Sequence, residues 1–490
     1  MQLLRVFPVL GAILMVFALT LLVPLAVSLT TNDGAQAVWL PSLGLTLVCG
    51  AVLRLAVFKV GAKVELQTRD GMLLVSLVWT LLPLFAAVPL LMHFASVGQP
   101  ISFTDAYFET MSGITTTGAT VITGLDKLPG SINLWRCFLQ WMGGMGILVL
   151  AVAILPLLGG GGAQLFRAEA TGPMKDAKLT PRITETAKGL WTVYCLLSLL
   201  CVAAYWLGGM SPLDAWAHMF TTMSLGGLST YDASFGHFQS PALEWIAIVF
   251  MLIASGNFAL YFMALVKRQP GRILRDTEWR GSIGLLVGAS VFVAGLLLVK
   301  GTMTDPLDTL RTAMFNVVSI GSTTGFATTD YTQWPVFAPL FMILLSGIAT
   351  SAGSTGAGIK MARVLILVKH ARTEMTRIMH PRAVRPVMLG SHAVDSATLL
   401  SVLGFMLVYG GTIIVLTLVL MLTDLSFDTA FSAVVASVNN MGPGLNEVGP
   451  AGNFQGLSDV QTWVCTLAML LGRLEMLSFL VIFTRGFWRQ

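Results

Sequence analysis

The chain has 490 residues, 55% of them hydrophobic and only 11% charged, with a mean hydropathy of +0.79 and a formal charge of +5. Soluble domains average about a quarter charged residues, so this composition excludes a soluble enzyme, a disordered chain and a secreted disulfide scaffold, and specifies a polytopic membrane protein. Five cysteines (Cys49, Cys137, Cys195, Cys201, Cys465) lie in or beside apolar runs without C-x-x-C spacing, and read as small buried apolar residues.

A bilayer core of about 30 Å needs about 20 apolar residues per helix. By that ruler ten spans are predicted, at 7–30, 38–58, 71–94, 134–158, 188–209, 242–266, 281–300, 334–369, 394–422 and 461–484. The first is too long, and lacks the small-residue cleavage site, for a secretory signal peptide, so it is kept as a helix. Of 29 basic residues, 24 fall on one side when the loops alternate. They cluster at Arg54–Arg69, Arg167–Lys188, Lys267–Arg280 and Lys360–Arg385, with Arg5, Arg485 and Arg489 at the ends. The opposite side holds Lys127, Arg136, Lys300 and Arg311, and Arg473 lies within the last span. The positive-inside rule then puts both termini in the cytoplasm.

The outer segments 104–124, 213–236, 307–330 and 427–450 are not ordinary loops. Each starts with an apolar stretch too short to span, then turns into Ser, Thr, Gly and Asn, the pattern of a re-entrant piece. Asp105 to Gly118 and Asp214 to Gly227 align in register, Thr312 takes the equivalent offset before Gly325, and Asp428 precedes Gly442 by one residue more. Helix, re-entrant segment, helix therefore repeats four times: 71–160, 185–268, 280–370 and 390–490, after a two-helix extension at 1–70. An Asp or Thr heading each short helix would cap its free N–H groups, and the negative C-terminal ends would converge inside the membrane, favouring a cation. The extended backbone that climbs back out survives at membrane depth only where it lines a protein-walled or wet cavity. Parallel repeats can surround one axis, and four strands of carbonyls around it replace the hydration shell of a monovalent cation.

Thr115-Thr-Thr-Gly-Ala-Thr-Val-Ile122, Ser224-Leu-Gly-Gly-Leu-Ser-Thr-Tyr-Asp232, Ser322-Thr-Thr-Gly-Phe326 and Asn439-Asn-Met-Gly-Pro-Gly-Leu445 resemble the pore loops of the Trk-type bacterial potassium uptake proteins, the TrkH/TrkG family within the Trk/Ktr/HKT superfamily. The resemblance covers the whole chain, including the two-helix extension that Ktr relatives lack. It implies an all-α membrane protein of ten spans and four pore loops, in helix–pore loop–helix repeats like a K⁺ channel. It implies one filter glycine per repeat, here Gly118, Gly227, Gly325 and Gly442. Ion-coordinating carbonyls are then expected at Thr116 and Thr117, Leu225 and Gly226, Thr323 and Thr324, Asn440 and Met441. Plant relatives with Ser at the first glycine favour Na⁺, so Gly118 favours K⁺, with Rb⁺ as congener and Na⁺ as competitor. Repeats two and four depart from Thr-Thr, which implies looser selectivity than in a symmetric channel.

Below the filter, Ser346-Gly-Ile-Ala-Thr-Ser-Ala-Gly-Ser-Thr-Gly-Ala-Gly358 is too rich in glycine to continue a helix and predicts a polar, flexible break in the eighth span. The resemblance makes this an intramembrane gate, with Gly353, Ser354, Thr355, Gly356 and Gly358. A small-residue packing seam is the alternative. A central Arg is expensive in a membrane, so Arg473 needs a cavity or a partner; Glu475, two residues on, is on the wrong face. The resemblance puts Arg473 at the pore wall as an electrostatic barrier. Lys360 could line the pore or snorkel to the interface. Glu109, His218 and Asn316 read as helix-packing residues.

No H-E-x-x-H, G-x-S-x-G or P-loop motif is present, so no catalysis and no resident cofactor are expected. The resemblance implies a homodimer in the bacterial inner membrane and a separate cytosolic, TrkA-like subunit that binds the regulatory nucleotide. The basic loops at 167–188, 267–280 and 369–385 would be docking surfaces, although topology alone would explain their charge; no nucleic acid is expected. The rival is a secondary symporter coupling K⁺ to H⁺ or Na⁺. Such proteins commonly use inverted repeats and midplane carboxylates, whereas these repeats are parallel and Glu475 is the main intramembrane acid expected.

Overall fold

In lipid, every backbone N–H and C=O must find a partner within the protein, so apolar runs with few charges become helices. The computed structural model describes residues 3–56, 68–154, 183–266, 268–382, 386–390 and 392–488. Its helices are α1 (Leu3–Thr20), α2 (Leu22–Thr31), α3 (Gln36–Ala56), α4 (Thr68–Ser96), α5 (Phe103–Ile114), α6 (Gly130–Ile154), α7 (Ile183–Leu207), α8 (Pro212–Met223), α9 (Pro241–Ala254), α10 (Phe258–Val266), α11 (Gly271–Arg275), α12 (Thr277–Val299), α13 (Pro306–Gly321), α14 (Phe337–Ser346), α15 (Met361–Met379), α16 (Ser396–Met421), α17 (Phe427–Val438), α18 (Asp459–Arg473), α19 (Leu477–Leu480) and α20 (Arg485–Trp488). Among the described residues, strand is limited to a two-residue antiparallel ladder, Met388–Leu389 with His392–Ala393.

Six described helices are long and apolar enough to cross a bilayer, and two further pairs qualify when taken together across a sharp bend. The bends correct the reading of two spans as continuous. The sixth turns by 87° between α9 and α10 at Ser255-Gly256-Asn257, and the tenth by 106° after α18. At the second bend Glu475 and Met476 both take positive φ, 54° and 52°, which ends the helix without a glycine. The expected break in the eighth span is present, between Ser346 and Met361. The ends of the second and fourth spans, and the basic residues Lys59, Lys63, Arg167, Lys175, Lys178, Arg182, Lys267, Arg385 and Arg489, lie outside the described residues.

The four short helices α5, α8, α13 and α17 are buried along most of their length. Their N-caps are Ser102, Ser211, Asp305 and Ser426, not the aspartates and threonine expected at the heads. Asp105 and Asp214 fall at the third helical position, where their amides are bonded by the cap serines. Thr312 is internal, because α13 begins a turn and a half earlier. An acid in the first turn still complements the helix dipole.

Each repeat's second helix packs on the next repeat's short helix: α6 on α8, α9 on α13, α14 on α17, and α18 back on α5. The arrangement therefore closes on itself. Outside, α7 and α16 expose Leu199, Leu200, Leu207, Leu407, Ile414 and Leu418, while Thr, Ser and Asn are buried inside. That inversion suits a ring with lipid around it and polar backbone at its centre.

Candidate functional site

Each short helix ends in the same way. The residue two before the glycine has positive φ (Thr116 55°, Leu225 55°, Thr323 64°, Asn440 48°), and so has the glycine (Gly118 88°, Gly227 75°, Gly325 91°, Gly442 94°). The residue between them, Thr117, Gly226, Thr324 or Met441, returns its N–H to the helix carbonyl five residues back at 2.7–2.8 Å. Four tetrapeptides that share the final glycine thus fold into one geometry, and the glycines are needed for more than their φ. A Cβ built on Gly118 would lie 2.0 Å from Gly226 O, on Gly227 2.0 Å from Thr324 O, on Gly325 2.2 Å from Met441 O, and on Gly442 2.8 Å from Thr117 O. Each glycine abuts the preceding-position carbonyl of the next repeat, in the order one, two, three, four, one. All four glycines line one cavity of about 300 Å³, whose wall continues through Thr120, Ser229, Ala327, Pro443 and Phe454.

Side chains hold the outgoing segments against the short helices. Nine residues before the glycine stand Glu109, His218 and Asn316, each buried. Glu109 accepts from Thr120 Oγ1 and Val121 N, both at 3.0 Å, and from Arg136 at 2.7 Å. His218 Nε2 meets Ser229 Oγ at 2.9 Å, and Asn316 Nδ2 donates to Thr328 Oγ1 at 2.8 Å. In the fourth repeat Ser432 Oγ does this by accepting from Leu445 N at 2.9 Å. The packing role read for these three residues is thus a specific one, repeated at one register position. Asp214 similarly receives Thr230 Oγ1 and Tyr231 Oη. Burial, then the Asp214 charge, push the Tyr231 phenol up to about 12, so it stays a donor.

Beneath the ring lies 347–360. It is largely buried and hydrogen-bonded to its neighbours. Thr355 Oγ1 donates to Met223 O at the end of α8 (3.1 Å), and Ala357 N to Thr323 Oγ1 (3.4 Å). Ser351 N bonds Ser255 O at the α9–α10 bend, and Phe258 N bonds Gly353 O. Gly353 and Gly358 have φ of 77° and 85°, Ser354 caps the turn by donating to Ser351 O, and a Cβ on Gly356 would lie 3.2 Å from Thr323 Oγ1. Arg473, fully buried at the end of α18, donates to Thr355 O and to Gly143 O of α6, each at 3.0 Å. Its Nε has no partner, and among the described residues no carboxylate pairs with it. Glu475 instead pairs with Lys360 Nζ (3.2 Å) and Arg363 (2.9 Å), which settles Lys360 as a paired group.

A family model described as "TrkH: Cation transport protein" matches residues 43–487. The chain belongs to the TrkH family of cation transport proteins. The Trk system potassium uptake protein TrkH of Vibrio parahaemolyticus is 44% identical over the full length of both chains, and that of Escherichia coli K12 is 42% identical over 98% of each. Escherichia coli TrkG is 35% identical. The crystal structure of the potassium transporter TrkH from Vibrio parahaemolyticus superposes with a TM-score of 0.91 over all of both chains, at 42% identity.

Within this TrkH-family scaffold, sequence reasoning missed the buried groups Glu278 and Gln140 and read Glu109 without its ion pair. Glu109 and Glu278 are buried, and Glu475 is partly exposed, so the short list of intramembrane acids was incomplete. Both are engaged, Glu109 by Arg136 and Glu278 by Ala352 N of the segment below the ring. Gln140 was also passed over. A buried acid with an Arg on the next helix was the available signal for Glu109; nothing in the local sequence marked Gln140.

Proposed function

We propose that the chain carries K⁺ inward through the ring of Gly118, Gly227, Gly325 and Gly442. The observation that carries this reading is the closure of four identical backbone turns on one another around a common cavity. In it the carbonyls of Thr116 and Thr117, Leu225 and Gly226, Thr323 and Thr324, and Asn440 and Met441 replace the water shell of the ion. The C-terminal ends of α5, α8, α13 and α17 add negative potential beneath it. Ten spans follow if α6 and the broken α14–α15 element cross the membrane with those already long enough. The names of the relatives, Trk system potassium uptake proteins, support K⁺ as the ion.

The segment 347–360 is the gate of this pathway and Arg473 its electrostatic barrier. Both sit directly below the ring, and a full positive charge held by backbone carbonyls opposes a cation there. Opening requires Arg473 to release Thr355 and Thr355 to release Met223. Regulation comes from a cytosolic TrkA-like subunit that binds the nucleotide and docks on the basic faces at 268–280 and 369–382, the transporter being an inner-membrane homodimer with cytoplasmic termini. An inside-negative potential supplies about 2.3 kcal/mol per charge per 100 mV, sufficient to drive accumulation without a coupled ion. The buried carboxylates support a channel over a symporter, because each is paired or hydrogen-bonded in a structural role. In voltage-clamped membranes the reversal potential should follow the K⁺ gradient alone; a shift with pH or with the Na⁺ gradient would establish coupling instead.

A further inference from the structure

Repeat two has Gly226 where repeats one and three have Thr117 and Thr324. In those repeats the threonine hydroxyl is braced within its own turn: Thr117 Oγ1 lies 2.7 Å from Thr115 Oγ1, and Thr324 Oγ1 lies 2.7 Å from Ser322 Oγ. Repeat two keeps the partner, Ser224, and lacks the side chain it would meet. The space is filled from another repeat. A Cβ on Gly226 would fall 2.4 Å from Cδ and 2.5 Å from Oε1 of Gln140, a fully buried residue of α6. The Gln140 carboxamide donates from Nε2 to Gly226 O at 2.7 Å and accepts from Leu228 N at 3.1 Å, so it brackets Gly227. Gly226 O is the same oxygen that faces Gly118 across the ring. Among the described residues the equivalent oxygens of Thr117, Thr324 and Met441 accept no side-chain hydrogen bond.

We propose that Gln140 is a positioning residue for selectivity, holding the Gly226 carbonyl at its radius and weakening its pull on the ion relative to the three other carbonyls of that layer. A hydrogen bond accepted by a carbonyl both fixes its direction and draws electron density away from the cation on its other side, and filter selectivity depends on the number and field strength of such dipoles. The proposal rests on the reading of these four turns as the ion-coordinating layer.

The test is competition of K⁺ and Na⁺ against rubidium uptake by the full chain in proteoliposomes, normalised to folded protein. Gln140→Ala should change the ratio of the K⁺ and Na⁺ half-inhibition concentrations by about threefold to tenfold, the effect of losing one hydrogen bond of ordinary strength. Gly226→Thr alone should abolish uptake by its clash with Gln140. Combining Gln140→Ala with Gly226→Thr should recover uptake but not the ratio, because the introduced hydroxyl can meet Ser224 as Thr324 meets Ser322 while the carbonyl at position 226 still accepts no side-chain hydrogen bond; a merely space-filling role would recover both. Should Gln140→Ala fail to fold, Gln140→Met keeps the volume and removes both bonds, with the same shift expected. An unchanged ratio in the folded variant, or a double variant that recovers the ratio as well as uptake, would overturn the proposal. Gly118→Ser serves as control: if it shifts the ratio while Gln140→Ala does not, this inference alone fails, and if neither does, the reading of the ring fails with it.

Discussion

The four glycines do not close the ring equally tightly, and that inequality is measurable. Alanine at Gly118 or Gly227 puts a methyl 2.0 Å from a neighbouring carbonyl oxygen, at Gly325 2.2 Å, and at Gly442 only 2.8 Å. A carbon and a carbonyl oxygen need about 3.3 Å, so the ring must open by about 1.3 Å for the first two and by about 0.5 Å for the last. The backbone penalty for an L-residue at positive φ, about 1–2 kcal/mol, is common to all four and cancels from the comparison. Gly118→Ala, Gly227→Ala and Gly325→Ala should each cut K⁺ over Na⁺ discrimination about tenfold or more, equivalent to about 1.4 kcal/mol, and Gly442→Ala should cost less. The assay is the inhibition of rubidium uptake by K⁺ and by Na⁺, per unit of folded protein. Equal tolerance at all four positions, or greatest damage at Gly442, would refute the reasoning.

Three other substitutions probe separate parts of the pathway. Arg473→Ala should raise uptake in the absence of a cytosolic partner by about tenfold, through loss of a barrier of about 1.4 kcal/mol; a variant that only lowers the unfolding temperature would assign Arg473 a structural role. Glu109→Leu leaves Arg136 charged and buried without its anion, which should cost about 3–5 kcal/mol of stability, seen as a lower unfolding midpoint in detergent. Joint replacement with Arg136→Met should recover much of that loss, and a stable Glu109→Leu single variant would contradict the assignment. Glu475→Gln removes the anion between Lys360 and Arg363, and is expected to change the rate of uptake while leaving the K⁺ to Na⁺ ratio untouched, because the ring glycines close on backbone and Pro443, not on that cluster. A shifted ratio would show that the bend after α18 shapes the filter.

The helices were legible because composition and length suffice where every backbone group must be satisfied internally. The re-entrant turns were legible for a different reason: four copies in register reveal a geometry that one copy would not. Arg473 stood out by the expense of its charge; it does not pair with Glu475, as expected, but the reason is the bend after α18, not spacing along one helix. What escaped depended on contacts between repeats. Gln140 serves a glycine 86 residues away, and only the fold brings them together. The caps were misplaced because aspartate suits both the N-cap and the first turn, and Ser102 and Ser211 had claimed the cap. The bends at Ser255-Gly256-Asn257 and at Glu475-Met476 were hidden by flanking residues apolar enough to read as continuous spans. The bonding of 347–360 was hidden too, since its partners Met223, Thr323, Ser255 and Arg473 are distant in sequence.

Rubidium uptake by the purified chain in proteoliposomes, at a clamped inside-negative potential, tests the central claim most directly. Using Arg473→Ala beside the unaltered chain provides an opened pathway. Uptake should be blocked by K⁺, only weakly by Na⁺, and should be indifferent to a pH gradient. Uptake that requires a proton or Na⁺ gradient, or that Na⁺ inhibits as well as K⁺ does, would contradict a K⁺-selective, potential-driven pore.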